Sequence, residues 1–123
     1  MSALSKTEEQ LMELIWQHEK VFMKELLESI PEPKPAKTTV ATLLKRMHDK
    51  GFIGYETFGN SRQYYPKVSK EDYFSKHLKG MIKNYFGNSN LKFASFFART
   101  NDLSIEELEE LKKIVDDEMK KKK

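Results

Sequence analysis

Apolar residues recur along this chain at two spacings, and the change from one to the other divides it. Leu11, Leu14 and Ile15, with Trp16 beside them, follow a Ser5–Glu8 pair at capping-box spacing, which predicts a first helix over about 7–19. Met23, Leu26, Leu27 and Ile30 stand at i, i+3, i+4 and i+7 and predict a short second helix. Pro31, Pro33 and Pro35 end it and hold an extended connection. Val40, Leu43, Leu44 and Met47 repeat the helical pattern over 38–50, and Gly51 stops it. The period then drops to two. Ile53, Tyr55 and Thr57 alternate with Phe52, Gly54 and Glu56, the stretch Gly59-Asn60-Ser61 supplies turn residues, and a second strand returns to Pro66. Three helices followed by a hairpin, within about 60 residues, is the order of a winged helix-turn-helix. A bare three-helix bundle would leave the hairpin aromatics without a purpose.

Ser69 with Asp72 begins a fourth helix that continues through Phe74, Leu78, Met81, Ile82 and Tyr85 to Gly87, its apolar face widened by Tyr73, His77 and Phe86. A short aromatic helix follows, with Phe93, Phe96 and Phe97 at i, i+3 and i+4. Ser104 with Glu107 caps a last helix bearing Leu108, Leu111, Val115 and Met119. These three helices carry more apolar side chains than one layer hides, so pairing with a second copy is expected. The expected fold class is mainly α: a winged helix-turn-helix over 1–68, then a helical dimerisation region over 69–123 that ends in a basic tail. Phe74, Leu78, Met81, Ile82, Tyr85, Phe93, Phe96, Phe97, Leu108, Leu111 and Val115 are its expected interface residues.

Composition narrows the class. A chain of 123 residues fits one domain, or one small domain with an appendage, and 33% charged residues leave a thin core for a monomer. There is no cysteine, hence no disulfide and no thiolate metal site. No run approaches the roughly 18 apolar residues of a membrane span, and no signal-peptide core opens the chain, so a cytoplasmic protein without membrane insertion is expected. The net charge of +3 is small, but it is unevenly placed. Residues 1–30 balance at −3, residues 31–70 at +5, residues 71–119 at −3, and Lys120 to Lys123 add +4. The middle segment is the one suited to a polyanion.

That segment contains the third helix. Opposite its apolar stripe lie Thr38, Thr39, Thr42, Lys45 and Arg46, with Lys37 just ahead of the helix. The major groove of B-DNA admits one helix, and short hydroxyl side chains let it sit deep. Hydroxyls bond phosphates or base edges, a threonine methyl meets a thymine methyl, and Arg or Lys reaches guanine. Lys37 and the backbone amides of the helix start suit a phosphate. Taken alone such a face is more often merely solvated. The local charge, the helix-turn-helix position and the following hairpin reverse those odds. Arg62 ends the hairpin turn, where a wing touches the DNA backbone or minor groove, and Asn60 and Ser61 are candidates for further phosphate contacts. Tyr64 and Tyr65 are expected to divide between core and surface.

Catalytic readings are weaker. His18, His48 and His77 are far apart and form no ligand pair at helical spacing, so neither a metal nor another cofactor is expected. No glycine-rich phosphate loop or nucleophile elbow is present. The acidic run Glu106-Glu107-Leu108-Glu109-Glu110 fits a helix N-terminus and solvated face better than paired catalytic carboxylates. An enzyme is not expected.

The stretches "LSKTEEQLMELIW" (4–16), "TTVATLLKRMHDKGFI" (38–53), "YYPKVSKEDY" (64–73) and "DLSIEELEELKKIVD" (102–116) together resemble the penicillinase-repressor family of transcription regulators, the BlaI/MecI/CopY type. The resemblance runs nearly end to end. It implies a homodimer with an N-terminal winged helix on double-stranded operator DNA, C-terminal helices for dimerisation, and repression of a small, often resistance-related operon. It also implies a regulatory protease: members controlling β-lactam resistance are inactivated by a cut at an Asn-Phe bond in the dimerisation region. The corresponding bond here is Phe96-Phe97, which keeps the phenylalanine after the cut and lacks the asparagine. The copper-responsive branch uses C-terminal cysteines, which this chain does not have. A different class of function, a winged-helix protein-interaction module without DNA binding, remains beside the repressor. Such a module would more often expose apolar side chains on the third helix and hairpin tip, where this chain has positive charge.

Overall fold

Ser5 and Glu8 form the reciprocal cap that their spacing predicts. Ser5 Oγ accepts from the Glu8 amide at 3.2 Å, and Glu8 Oε1 accepts from the Ser5 amide at 2.8 Å. They open α1 (Lys6–His18) of the computed structural model, which describes residues 4–123. After it come β1 (Val21–Phe22), α2 (Met23–Ser29), α3 (Lys37–Asp49), β2 (Ile53–Phe58) and β3 (Ser61–Pro66). The chain ends in α4 (Lys70–Tyr85), α5 (Asn90–Thr100) and α6 (Ile105–Lys121). Helix α3 starts one residue earlier than its apolar pattern indicates, so Lys37 is its first residue. It ends where Gly51 takes φ +87°: the Gly51 amide bonds the His48 carbonyl and the Phe52 amide bonds the Met47 carbonyl, both at 3.0 Å. This is a Schellman stop, and glycine tolerates the left-handed backbone it requires.

The sheet has three strands rather than the two of a simple hairpin, in the order β1-β3-β2 and antiparallel throughout. Val21 pairs with Tyr64 and Phe22 with Gln63, which closes one edge of the hairpin against the chain between α1 and α2. The β2–β3 turn is two residues, Gly59 and Asn60, with Gly59 at φ +62° as a glycine-first hairpin turn needs. In the β2–β3 register, Tyr55 faces Tyr64 and Thr57 faces Arg62. Ile53, Tyr55, Tyr64 and Arg62 therefore share one face of the sheet. Ile53 and Tyr64 are buried there in the core shared with α1, α2 and α3, and Arg62 extends that face beyond the core. On the other face Tyr65 lies across Gly54, where an added Cβ would stand 2.6 Å from the tyrosine oxygen. Gly54→Ala is expected to displace that rigid ring and lower stability by about 1–3 kcal/mol, measurable as a shift of the urea midpoint.

Contacts divide the chain into two units, Met1–Ser75 and Lys76–Lys123. The division falls inside α4, because the first turn of that helix is tied to α1. Trp16 Nε1 donates to the Val68 carbonyl at 2.9 Å, and Lys70 pairs with Glu13 at 2.7 Å. Tyr73 donates its hydroxyl to Glu9 at 2.7 Å and sets its ring 5.8 Å from Trp16 and 5.7 Å from Phe52. Burial and then the Glu9 hydrogen bond raise the Tyr73 phenol to about 12. Helical period alone puts Tyr73 with the interface residues of the fourth helix; the fold packs it on the first unit.

Glu8 is a charged member of the first unit's interior, 2% exposed, and its Oε1 also receives Lys50 Nζ at 2.9 Å. Burial pushes its pKa up, but hydrogen bonds from Ser5 and Lys50 outweigh burial and hold it below the usual value. A carboxyl whose folded pKa is depressed contributes stability that is complete above its unfolded pKa and is lost as pH falls through the folded one. Stability should therefore decline on acidification below the ordinary carboxylate range. Thermal melts of Glu8→Gln should show a shallower decline there.

The second unit is different in kind. Ile82 is its single fully buried apolar residue among the described residues. Rings gather around Phe86, which lies 5.6 Å from Phe93 and 5.5 Å from Phe96, yet α5 and α6 have no fully buried residue. No helix of the protein's described residues is long and apolar enough to cross a membrane.

Candidate nucleic-acid interface

The buried stripe of α3 is Val40, Leu43, Leu44 and Met47. Burying these four orients the helix, and what remains outward is Lys37, Thr38, Thr39, Thr42, Lys45 and Arg46, all exposed. No side chain caps the start of α3 at Ala36, so its first amides have no side-chain acceptor there. Thr42 donates its hydroxyl to the Thr38 carbonyl at 3.0 Å. Its oxygen lone pairs and methyl are what it offers to a ligand. Lys45 Nζ lies 3.1 Å from Asp49 Oδ2, with the two side chains 78% and 59% exposed. That hydrogen bond holds the Asp49 carboxyl below its ordinary value. An exposed pair of this kind is weak and salt-screened, so a phosphate can compete for the ammonium.

The wing stands beside this face. A groove of about 500 Å³ between α3 and the hairpin is lined by Thr42, Lys45, His48, Tyr55 and Arg62, among others. A second groove, of about 620 Å³, brings Lys37, Asn60, Ser61 and Arg62 together with Lys24 and Lys34. Arg62 borders both. Thr38, Thr39 and Arg46 line neither and lie on the open face of the helix. Lys24 and Lys34 are additions that sequence reading does not single out. Lys34 belongs to the basic middle segment and so carries a signal in the local charge; Lys24 sits in an acidic segment and carries none. Lys34 also donates to the Leu27 carbonyl at 3.1 Å, which holds its head group beside α2.

This surface is rich in hydroxyl and cationic side chains, with Glu28 and Asp49 the acidic residues lining its two grooves. Among the described residues no group of three or more His, Asp or Glu is placed to hold a metal ion. The three histidines sit on three different helices, and His18 Nε2 is engaged with Ser29 Oγ at 2.9 Å. The residues expected to pair two copies lie on α4, α5 and α6, where Phe74, Met81, Tyr85, Phe96, Phe97, Leu108 and Val115 are exposed. Leu78, Phe93 and Leu111 are half-buried, and Ile82 is buried.

A family model described as Penicillinase repressor matches residues 4–117. The methicillin resistance regulatory protein MecI of Staphylococcus aureus (strain N315) is 29% identical over 113 residues, covering 91% of this chain and 92% of the relative. The penicillinase repressor of Bacillus licheniformis is 23% identical over 121 residues, covering 98% of this chain and 94% of the relative. Among solved structures, the solution structure of the DNA-binding domain of the repressor BlaI matches with a TM-score of 0.52 and 24% identity. It covers 56% of this chain and 85% of that one, and the likeness establishes the winged-helix fold.

Proposed function

The chain belongs to the penicillinase repressor family, a family of DNA-binding transcriptional regulators rather than of enzymes, and from that premise we propose that it is a cytoplasmic homodimer that represses a small operon by reading an inverted-repeat operator. Helix α3 enters the major groove. Thr38, Thr39, Thr42, Lys45 and Arg46 meet base edges and phosphates, and Lys37, Asn60 and Arg62 hold the backbone. The observation that carries this reading is the exposed hydroxyl and cationic face of α3 with Arg62 of the wing at its side. A protein-interaction module would want apolar exposure at the same places.

Dimerisation belongs to the second unit. It exposes several large apolar side chains and buries one, which a solitary soluble unit of this size does not sustain. A two-fold dimer requires two half-sites a whole number of helical turns apart. Footprinting of the protein on DNA upstream of its own gene tests both parts. Protection of an inverted repeat, weakening steeply with salt, is expected. Protection of one unrepeated site, or no salt-dependent binding, would contradict the reading. The names of the relatives make a resistance-related operon the first target to try. A protease acting at Phe96-Phe97 is the proposed off-switch, and α5, without a fully buried residue, opens locally at low cost.

A further inference from the structure

Arg62 is not a loose side chain at the tip of a hairpin. Its guanidinium carbon lies 4.3 Å from the centroid of the Tyr55 ring, within the range where a cation is attracted to an aromatic face. The register explains the encounter: Tyr55 pairs with Tyr64, and Arg62 is two residues from Tyr64 on the same face. Tyr55 is itself held from two sides. The His48 ring of α3 is 5.1 Å away and the buried Tyr64 ring is 5.9 Å away. A row of rings thus runs from the DNA-facing helix, through β2, to the wing cation.

From this we infer that Tyr55 is a positioning residue for DNA binding, setting Arg62 at a fixed place beside α3 before DNA arrives. The inference rests on the DNA-binding reading above and deepens it by assigning Tyr55 a role exercised through Arg62. A free arginine side chain loses much rotamer freedom when it is fixed on a phosphate. One already stacked loses less, so binding gains by pre-organisation. The planar guanidinium can keep its face on the ring while its N–H edge points to the phosphate, which an ammonium cannot do.

The test uses the full chain and a fluorescein-labelled, mixed-sequence DNA duplex of about 30 base pairs, titrated at several salt concentrations. Arg62→Ala should reduce the salt slope by roughly one unit. Tyr55→Leu should weaken binding about two- to fivefold, the range of an exposed cation–π contact. Tyr55→Phe, which keeps the ring face, should bind as wild type. In an Arg62→Ala background, Tyr55→Leu should have no further effect. Arg62→Lys gives a reading that does not depend on altering Tyr55: it should retain the salt slope and lose affinity several-fold. Equal losses from Tyr55→Leu with and without Arg62, a Phe variant as weak as the Leu variant, or an Arg62→Lys protein as tight as wild type would each overturn the inference. Unchanged duplex binding and salt slope in Arg62→Ala would overturn the inference alone, whereas a wild-type chain with no salt-dependent binding to the duplex would sink the DNA-binding reading with it, so the two failures are distinguishable.

Discussion

Ending the chain after Phe96 is expected to leave a monomer that binds operator DNA about a hundredfold or more weaker than the full protein, the typical loss when two linked readers become one. The truncation removes the end of α5 and all of α6, with Leu108, Leu111 and Val115. In the intact monomer Leu108 and Val115 stand 42% and 51% exposed, so their contribution to pairing comes from the surface a second copy would cover. Each such side chain contributes about 1.5–3 kcal/mol when fully buried. Losing several from each copy exceeds what holds a moderately stable dimer together. Analytical ultracentrifugation and operator titration of the same preparation check both halves of the expectation. A truncated protein that stays dimeric and binds as tightly as the full chain would remove the second unit from the account of repression. The same experiment bears on switching, because a proteolytic cut at Phe96-Phe97 would leave this fragment.

Arg46→Ala is expected to weaken operator binding by about 1–3 kcal/mol, the worth of one good base contact, and to weaken mixed-sequence DNA much less. Arg46 is exposed on the open face of α3 and lines neither wing groove; in the proposed docking of α3 in the major groove it is the cation that would meet base edges. Lys37→Ala and Arg62→Ala should behave otherwise, reducing both affinities by similar factors and each lowering the salt slope by about one unit. Thr42→Ala should follow Arg46→Ala in kind but fall short in size. The Thr42 hydroxyl already donates to Thr38, so it enters the interface as an acceptor and a methyl group. Parallel titrations on operator and mixed-sequence duplexes separate the roles. An Arg46→Ala protein that loses the same factor on both would make Arg46 a backbone contact.

The helices, their caps and the hairpin turn are legible in the sequence because the interactions that make them are local. Ser5 with Glu8 and Ser104 with Glu107 form both halves of their capping boxes across three residues. Gly51 and Gly59 take the left-handed backbone at the stops their positions announce. The stripe Val40, Leu43, Leu44 and Met47 decides which side of α3 is buried, and thereby which side is exposed to a partner. The candidate reading face is legible for the same reason: it is the complement of a local pattern.

What depends on contacts distant in sequence is not legible. Val21 and Phe22 are too few to show a period, and they are a strand only because β3, some forty residues later, supplies the hydrogen bonds. Tyr73 satisfies the apolar pattern of α4, yet Trp16, Phe52 and Glu9 draw it to the first unit. Glu8 reads as a cap and nothing more until the fold brings Lys50 to it across 42 residues. Arg62 reads as a wing-tip contact to DNA with no partner inside the protein. The register of β2 on β3 places it on the Tyr55 side, beside α3. Periodicity and capping are properties of a few consecutive residues, whereas a side chain's partner across the fold is set by packing the whole core. The sequence alone therefore determines the elements and the exposed face of α3. Tertiary packing determines the third strand, the anchoring of α4 and the position of the wing cation.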